Sequence, residues 1–448
     1  MKKKYSIILL FSCLFSIQSQ TKAQQILNPV EQKKISLPAF EDNEISLRND
    51  QNEPVDYTQG VFILNEDWFG HNNSTMNFMK AGSHDFIYRV YQRENQGKTF
   101  RCTSQYSAIF GDNLFIMSKQ AKDPGDTRTG GRLIVADAKT LKSKLVLEEI
   151  GGGDGRAFLG VNDSVGYVGT SGGIYVFDIK NLQLKHIIEG SNNTGGLYNG
   201  QIGLMVRTKT YVFAIRQAKG IFVIDPKTHQ IIKTIPGNYS TLTQSKDGMV
   251  WVGAGKKLLR IDPETLDEEI VSLPNDLAIP DSWYAWTAGV LCASIQKNAL
   301  YFTTGAGFFS GGKIWRYEIG NPASLDKPLY EIPEKGRKLY TGAGFRVGPD
   351  EKLYLSVFEE FGSVNYWQYI VDAQTGTELG KYKQERTYWF PAMHIFPDVA
   401  SPVVSEFTPV KKEINSDPLI LVVEFKLGKC DFRCTDGVCH LCRRCFVG

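Results

Sequence analysis

The sequence predicts an all-β fold, a seven-bladed β-propeller, and three observations carry that expectation. Short β-branched and aromatic runs alternate with Gly, Asn, Asp and Pro clusters from about Gly60 to Pro397, with no helical periodicity. One motif, a strand ending in Asp followed by a turn and a Thr or Asn, recurs along the body at blade-like spacing. A strand-like segment, Phe390-Pro-Ala-Met-His-Ile-Phe396, lies beyond the last repeat with nothing of its own to pair with.

The motif reads Leu133-Ile-Val-Ala-Asp137-Ala-Lys-Thr140, then Ile174-Tyr-Val-Phe-Asp178-Ile-Lys-Asn181, Ile221-Phe-Val-Ile-Asp225-Pro-Lys-Thr228, Leu258-Leu-Arg-Ile-Asp262-Pro-Glu-Thr265 and Tyr369-Ile-Val-Asp372-Ala-Gln-Thr375. The first four aspartates lie 41, 47 and 37 residues apart, and the 110-residue interval before the last holds a degenerate copy, Ile314-Trp315-Arg316-Tyr317-Glu318. Asp in such a turn accepts backbone amides, Pro presets φ and Thr caps the reversal, so these carboxylates are structural rather than catalytic or metal-binding. A second run precedes each copy, as in Ser164–Gly169, Thr210–Ala214, Met249–Gly253, Ala299–Thr303 and Lys352–Ser356, and supplies the middle strands.

The blades are placed at roughly 60–100, 101–153, 154–197, 198–237, 238–286, 287–341 and 342–385. The first lacks an inner strand of its own, so Phe390–Phe396 is expected to supply it. Closure of this kind removes the open edges that invite aggregation.

Outside the propeller, expected at 59–398, the chain changes character. Met1-Lys2-Lys3-Lys4, the apolar run Tyr5–Ile17 and Thr21-Lys22-Ala23 form a signal peptide over residues 1–23. No later stretch approaches the roughly 20 apolar residues of a spanning helix. The expected location is the periplasm or outer-membrane surface of a Gram-negative bacterium. Leu10-Phe11-Ser12-Cys13 offers a rival lipoprotein cleavage with lipidation of Cys13, although Leu14, Phe15 and Ile17 continue the apolar run. Residues 24–58 read as a loose leader, and 399–448 as a linker and incomplete sandwich-like tail whose opening strands are Pro402–Pro409 and Leu419–Phe425. In that tail Cys430, Cys434, Cys439, His440, Cys442 and Cys445 stand at zinc-compatible spacings. Exported chains seldom keep thiolates reduced, so a truncated or frame-shifted tail is preferred over disulfides or zinc. With 51 Lys+Arg against 48 Asp+Glu and no basic run interleaved with aromatics, nucleic acid is excluded as a partner.

The segments that cross from the outer strand of one blade to the inner strand of the next lie on one face beside the channel. Here they carry Tyr106, Asp154, Arg156, Tyr198, Asn199, Tyr239, Trp283, Tyr284, Trp286, Phe345, Arg346, Tyr388 and Trp389, while the first blade adds a polar loop with Trp68, Phe69, His71 and Asn72. Packing between blades is the competing reading for any one ring. The set as a whole, at equivalent crossings, points to a ligand-binding face in which aromatic rings supply area and polar tips fix orientation. Catalytic signals are lacking: there is no Gly-x-Ser-x-Gly elbow and no His-Glu-x-x-His, so no catalytic residue, metal or cofactor is assigned and the chain is not expected to be an enzyme. His71 and His394 could meet at the top of the first blade, but separate surface or core roles are preferred. Gly151-Gly152-Gly153-Asp154-Gly155 reads as a tight crossing that needs positive φ, not as a phosphate loop.

The string Val61-Phe-Ile-Leu-Asn65-Glu-Asp-Trp68-Phe69-Gly70-His71-Asn72-Asn73-Ser74, together with the Asp-x-x-Thr repeats, resembles the exported Bacteroidetes propellers of the YncE/YVTN-like kind. Within them it is similar to the BtuG-like surface cobalamin-binding proteins, and the likeness spans about residues 55–400. The resemblance implies a seven-bladed fold, capture of a corrinoid on one face, and a TonB-dependent outer-membrane transporter as partner. It carries over no ligand-contact motif, so the residues above rest on their own chemistry. Two other classes stand behind it. One is a protein- or glycan-binding scaffold. The other is a propeller enzyme, a lactonase or a quinone-dependent dehydrogenase, the latter needing a Trp-rich docking motif in each blade and grouped carboxylates for calcium, neither of which the sequence has.

Overall fold

The computed structural model describes residues 55–397, apart from 121–122, 127, 129, 196–198, 275, 281–289, 307–308, 341–343 and 361, and the backbone of three strands between 423 and 441. Its repeating turn is built as the side-chain chemistry requires. Asp137 Oδ1 accepts the amides of Lys139 and Thr140, both at 3.0 Å, and the Thr140 hydroxyl at 3.1 Å. Asp372 does the same for Gln374 and Thr375 at 2.9 and 2.7 Å, and Asp178, Asp225 and Asp262 cap their own copies. The residue that follows is left-handed in all five: Leu141, Leu182, His229, Leu266 and Gly376 have φ between 51° and 74°.

Each turn joins the third and fourth strands of an antiparallel sheet. Blade 2 is Cys102–Phe110, Asn113–Gln120, Leu133–Asp137 and Ser143–Leu147; blade 3 is Gly155–Gly160, Val165–Thr170, Ile174–Asp178 and Gln183–Ile187. Blade 4 is Ile202–Arg207, Val212–Arg216, Gly220–Asp225 and Gln230–Pro236; blade 5 is Thr241–Gln244, Val250–Ala254, Lys257–Ile261 and Glu268–Ser272. Blade 6 is Leu291–Ala293, Ala299–Ala306, Phe309–Glu318 and Tyr330–Glu331. In blade 7, Phe345–Val347 and Lys338–Leu339 both pair with Lys352–Phe358, followed by Tyr366–Asp372 and Glu378–Lys383.

Blade 1 closes the ring. Its own strands, Gly60–Asn65, Thr75–Lys80 and Phe86–Ile87, are completed on the inside by Pro391–Ile395, in the register Phe62↔Ile395, Ile63↔His394 and Leu64↔Met393. The seven innermost strands abut in order around the channel. The fold is therefore the seven-bladed propeller, closed as the orphan segment suggests.

Packing follows position in the blade. Middle strands are covered on both faces, as where Phe115 and Phe158 stack at 3.6 Å between blades 2 and 3. Outer strands such as Gln230–Pro236 alternate exposed and covered residues. Tyr57, assigned by sequence to the leader, is instead 1% exposed against Phe62 and Phe78, so blade 1 packing begins before residue 58. The signal peptide, Cys13 and residues 24–54 of the leader lie outside the described residues. The tail is a separate unit with a three-stranded meander, Val423–Leu427, Cys430–Thr435 and Val438–Leu441. Its cysteine side chains, and Pro402–Pro409, are likewise outside. No helix among the described residues is long and apolar enough to cross a membrane.

At the closing seam, His394 is fully buried, with Nε2 at 2.7 Å from Gln368 Oε1 and 3.3 Å from Ser356 Oγ. Burial, helped by the nearby Arg346 charge, pushes the imidazole down to about 3. The unfolded chain takes up this proton near the ordinary histidine value and the native one does not. The contribution to stability is therefore complete above that value and is lost as the pH falls toward 3. Urea denaturation at pH 7 and pH 4 should show a loss on the order of 3 kcal/mol from this site, and a smaller loss for His394→Gln. In the repeat turn, Asp137→Ala should cost about 1–2 kcal/mol, read as a lower melting temperature, and Asp137→Asn, which keeps an acceptor, should cost less.

Candidate functional site

In a four-stranded meander the loop between the second and third strands lies at the same end as the crossing into the next blade. That end, here the top, carries most of the sequence-selected residues. The blade 1 loop starts by extending the closure: the Glu66 and Asp67 amides donate to the carbonyls of Phe390 and Trp389 at 3.0 and 3.1 Å. Asp67 then turns with φ 55°, and the Trp68 carbonyl accepts the amides of His71 and Asn72 at 3.0 and 3.2 Å.

A loop from blade 2 braces this one. Asp123 Oδ2 accepts the Gly70 amide at 2.7 Å, and Asp126 Oδ2 accepts the Asn73 amide at 2.9 Å while pairing with Arg128 at 2.6 Å. Asn73 Nδ2 donates to Thr99 Oγ1 at 2.9 Å. The loops approach so closely that a Cβ on Gly125 would lie 2.2 Å from the Gly70 carbonyl oxygen, which fixes glycine there.

Trp68, 4% exposed, is the hub of this region. Tyr388 meets it edge-on with ring centres 4.1 Å apart, His71 at 5.2 Å and Phe390 at 5.9 Å. Phe69, His71, Asn72 and Tyr388 are half-buried at the rim. Trp389 points away: it is fully buried, stacks on Tyr88 at 5.3 Å beneath the Arg89 guanidinium, and donates Nε1 to the Glu385 carbonyl. Phe345 is 1% exposed in the packing of blades 6 and 7. These two rings, and largely Trp68, serve inter-blade packing and offer no open face.

Tyr106 and Arg346 sit on the inner strands of blades 2 and 7, near enough for the Arg346 charge to act on the Tyr106 phenol. Tyr239 is half-buried and donates to the Pro236 carbonyl at 3.2 Å, and Asn199 is exposed at the crossing into blade 4. Tyr198, Trp283, Tyr284 and Trp286 lie outside the described residues. His71 and His394 have different neighbours, the first Trp68 and the second Ser356 and Gln368. In the crossing into blade 3, Gly151 and Gly152 take φ of 64° and 74°, the tight turn expected there.

Beside this face the sequence singled out Asp154 and Arg156 but not the neighbouring Glu66, Gln105 and Lys119. Gln105 Nε2 donates to Glu66 Oε1 at 2.7 Å, and Lys119 Nζ donates to Gln105 Oε1. Glu66, Lys119 and Arg156 are 3%, 1% and 3% exposed. Burial, and next the Arg156 charge, hold the Lys119 ammonium well below the ordinary lysine value against the pull of Glu66 and Asp154. Lys119 ends a strand as Ser-Lys-Gln, which reads as a solvated turn unless the neighbouring blade is known. Among the described residues no three His, Cys, Asp or Glu side chains gather as a metal-ligand set.

Residues 59–397 match the family described as "Domain of unknown function (DUF5074)". The chain belongs to this family. No curated protein matches it in sequence. Among solved structures it is similar to a quinonprotein alcohol dehydrogenase-like protein from Bacteroides thetaiotaomicron, with TM-score 0.58 and 17% identity over 77% of this chain and 80% of that one. It is also similar to the dihydro-heme d1 dehydrogenase NirN in complex with DHE, with TM-score 0.48 and 12% identity over 79% and 80% of the two chains. A protein from Lactobacillus plantarum gives TM-score 0.48 and 12% identity over 74% and 98%. At such identities the likeness to the first is one of propeller fold.

Asp67 provides a direct test of how the loop is held. It is 6% exposed and accepts the Thr75 hydroxyl at 2.6 Å, and burial pushes its carboxyl up to about 8. The native state thus keeps a proton that the unfolded chain releases near pH 4. This contribution is complete below the ordinary aspartate value and is lost as the pH rises through 8. Asp67→Asn, which tolerates the same left-handed backbone, should remove the loss and melt higher than wild type at pH 9, by roughly 1–3 kcal/mol in denaturant.

Proposed function

We propose that the protein is a non-catalytic ligand-binding propeller of the bacterial cell envelope that captures a corrinoid on its top face for a TonB-dependent outer-membrane transporter. The reading is supported by the rim cluster of Phe69, His71, Asn72 and Tyr388, half-buried around Trp68 and fixed by the Asp123 and Asp126 brace. Rings and polar tips held rigid in this way can meet a broad, partly apolar ligand with little ordering cost. The resemblance of the Val61–Ser74 string to surface cobalamin-binding propellers selects the corrinoid among such ligands. Capture on this reading is reversible and needs no covalent step.

Isothermal titration of cyanocobalamin into the full chain tests it. One-to-one binding is expected, weakened at least about ten-fold by His71→Ala and by Tyr388→Ala. Absence of heat and of any thermal shift would remove the corrinoid assignment, and the same two variants would then be screened against glycans and peptides.

A further inference from the structure

The strands around the channel carry charge of one sign. The innermost strands, Pro391–Ile395, Cys102–Phe110, Gly155–Gly160, Ile202–Arg207, Thr241–Gln244, Leu291–Ala293 and Phe345–Val347, hold three arginines and no Asp or Glu. Arg156 is 3% exposed, at the top of blade 3, and Arg207 donates Nε and Nη1 to the carbonyls of Val161 and Thr208, both at 2.7 Å. Arg346 differs from both. It is half-buried, and among the described residues it joins no ion pair and its one hydrogen bond is long, 3.4 Å from Nη1 to the His394 carbonyl.

The reach of its charge locates the guanidinium. It acts on Cys292 in blade 6, on His394 in the closing strand of blade 1 and on Tyr106 in blade 2. A side chain of blade 7 reaches all three together from the channel, because blade 1 stands between blades 7 and 2. Exposure agrees with this placement. Neighbouring blades cover both faces of an inner strand, so the solvent that touches Arg346 and Tyr106, both half-buried, is channel solvent. The two side chains therefore share one opening. The other half-buried residues of the inner strands are largely apolar, as at Ala108, Leu159, Leu204, Val206 and Ala293.

A guanidinium drawn out of bulk water without a counter-charge is costly, and a concave channel with low-dielectric walls concentrates its field on whatever enters. Arginine presents its N–H donors in a planar fork that matches the oxygens of a carboxylate or phosphate, and a neutral phenol adds a further donor beside it. We propose that Arg346 and Tyr106 form an oxyanion-binding site inside the channel, which takes the carboxylate or phosphate of a small ligand. Binding there is an ion pair reinforced by hydrogen bonds, with no covalent step. The site is separate from the rim cluster around Trp68 and does not depend on the corrinoid reading.

Ligand-observed NMR on the full chain at pH 7 tests the site, with the proton signals of benzoate and the phosphorus signal of inorganic phosphate as separate probes. At least one probe should broaden in the presence of the protein, and which one does so tells an organic acid from the free ion. Arg346→Gln should weaken that binding at least about ten-fold, and Tyr106→Phe, which keeps the ring and so the packing, should weaken it several-fold. Benzamide, the uncharged counterpart of benzoate, should not broaden. The site is overturned if neither anion broadens, if benzamide binds as well as benzoate, or if binding persists unchanged in Arg346→Gln with its melting temperature held. Should Arg346→Gln fail to fold, Tyr106→Phe decides, and unchanged affinity in that variant overturns the site as well.

Discussion

The pairing of Pro391–Ile395 with Gly60–Asn65 is the constraint on which the rest depends. Without it blade 1 would present a row of unpaired backbone groups to the channel and blade 7 would have a bare face. The seam is also where the least replaceable contacts collect. His394, Gln368, Gln384 and Ser356 form a buried hydrogen-bonded group between the closing strand and blade 7. Because the Glu66 and Asp67 amides bond to the crossing that feeds this strand, the backbone that closes the ring also shapes the rim loop.

The seven sheets are chemically unequal. Most inter-blade space is filled by aliphatic and aromatic side chains from middle strands. At the top of blades 1, 2 and 3 that pattern gives way to carboxylates, an amine and a guanidinium with little exposure. Such groups cost several kcal/mol each to bury unless partnered. A fold that repeats one solution seven times departs from it here, and departures of this kind gather at functional sites.

Much of the architecture is legible in the sequence because it is written in local chemistry. The Asp-x-x-Thr turns are read from side chains that bond their own backbone, and the closing strand from a run with no local partner. The left-handed residue is not legible at three of these turns, because Leu141, Leu182 and Leu266 are not residues that advertise that conformation. The rim is legible in part. Asp154, Asn199, Tyr239 and Tyr388 lie in crossings as the repeat suggests, whereas Tyr106, Arg156, Phe345 and Arg346 sit on the inner strands instead, and whether an aromatic faces outward or packs inward depends on the neighbouring blade. Tyr388 and Trp389 are adjacent in sequence and differ in just this respect. The Glu66–Gln105–Lys119 cluster joins residues from two blades, and no period or motif marks it.

Closure also sets an order of events for the folding chain. Blades 2 to 7 draw all their strands from contiguous sequence and can form locally as they appear, whereas blade 1 must wait for a strand encoded after the last repeat. Loop-closure entropy for that step falls once the intervening blades are compact, which favours its forming after them. Until then the exposed inner edge of Gly60–Asn65 is the surface most open to capture by another chain. Local formation of the six contiguous blades shortens the interval in which a domain-swapped pairing can compete.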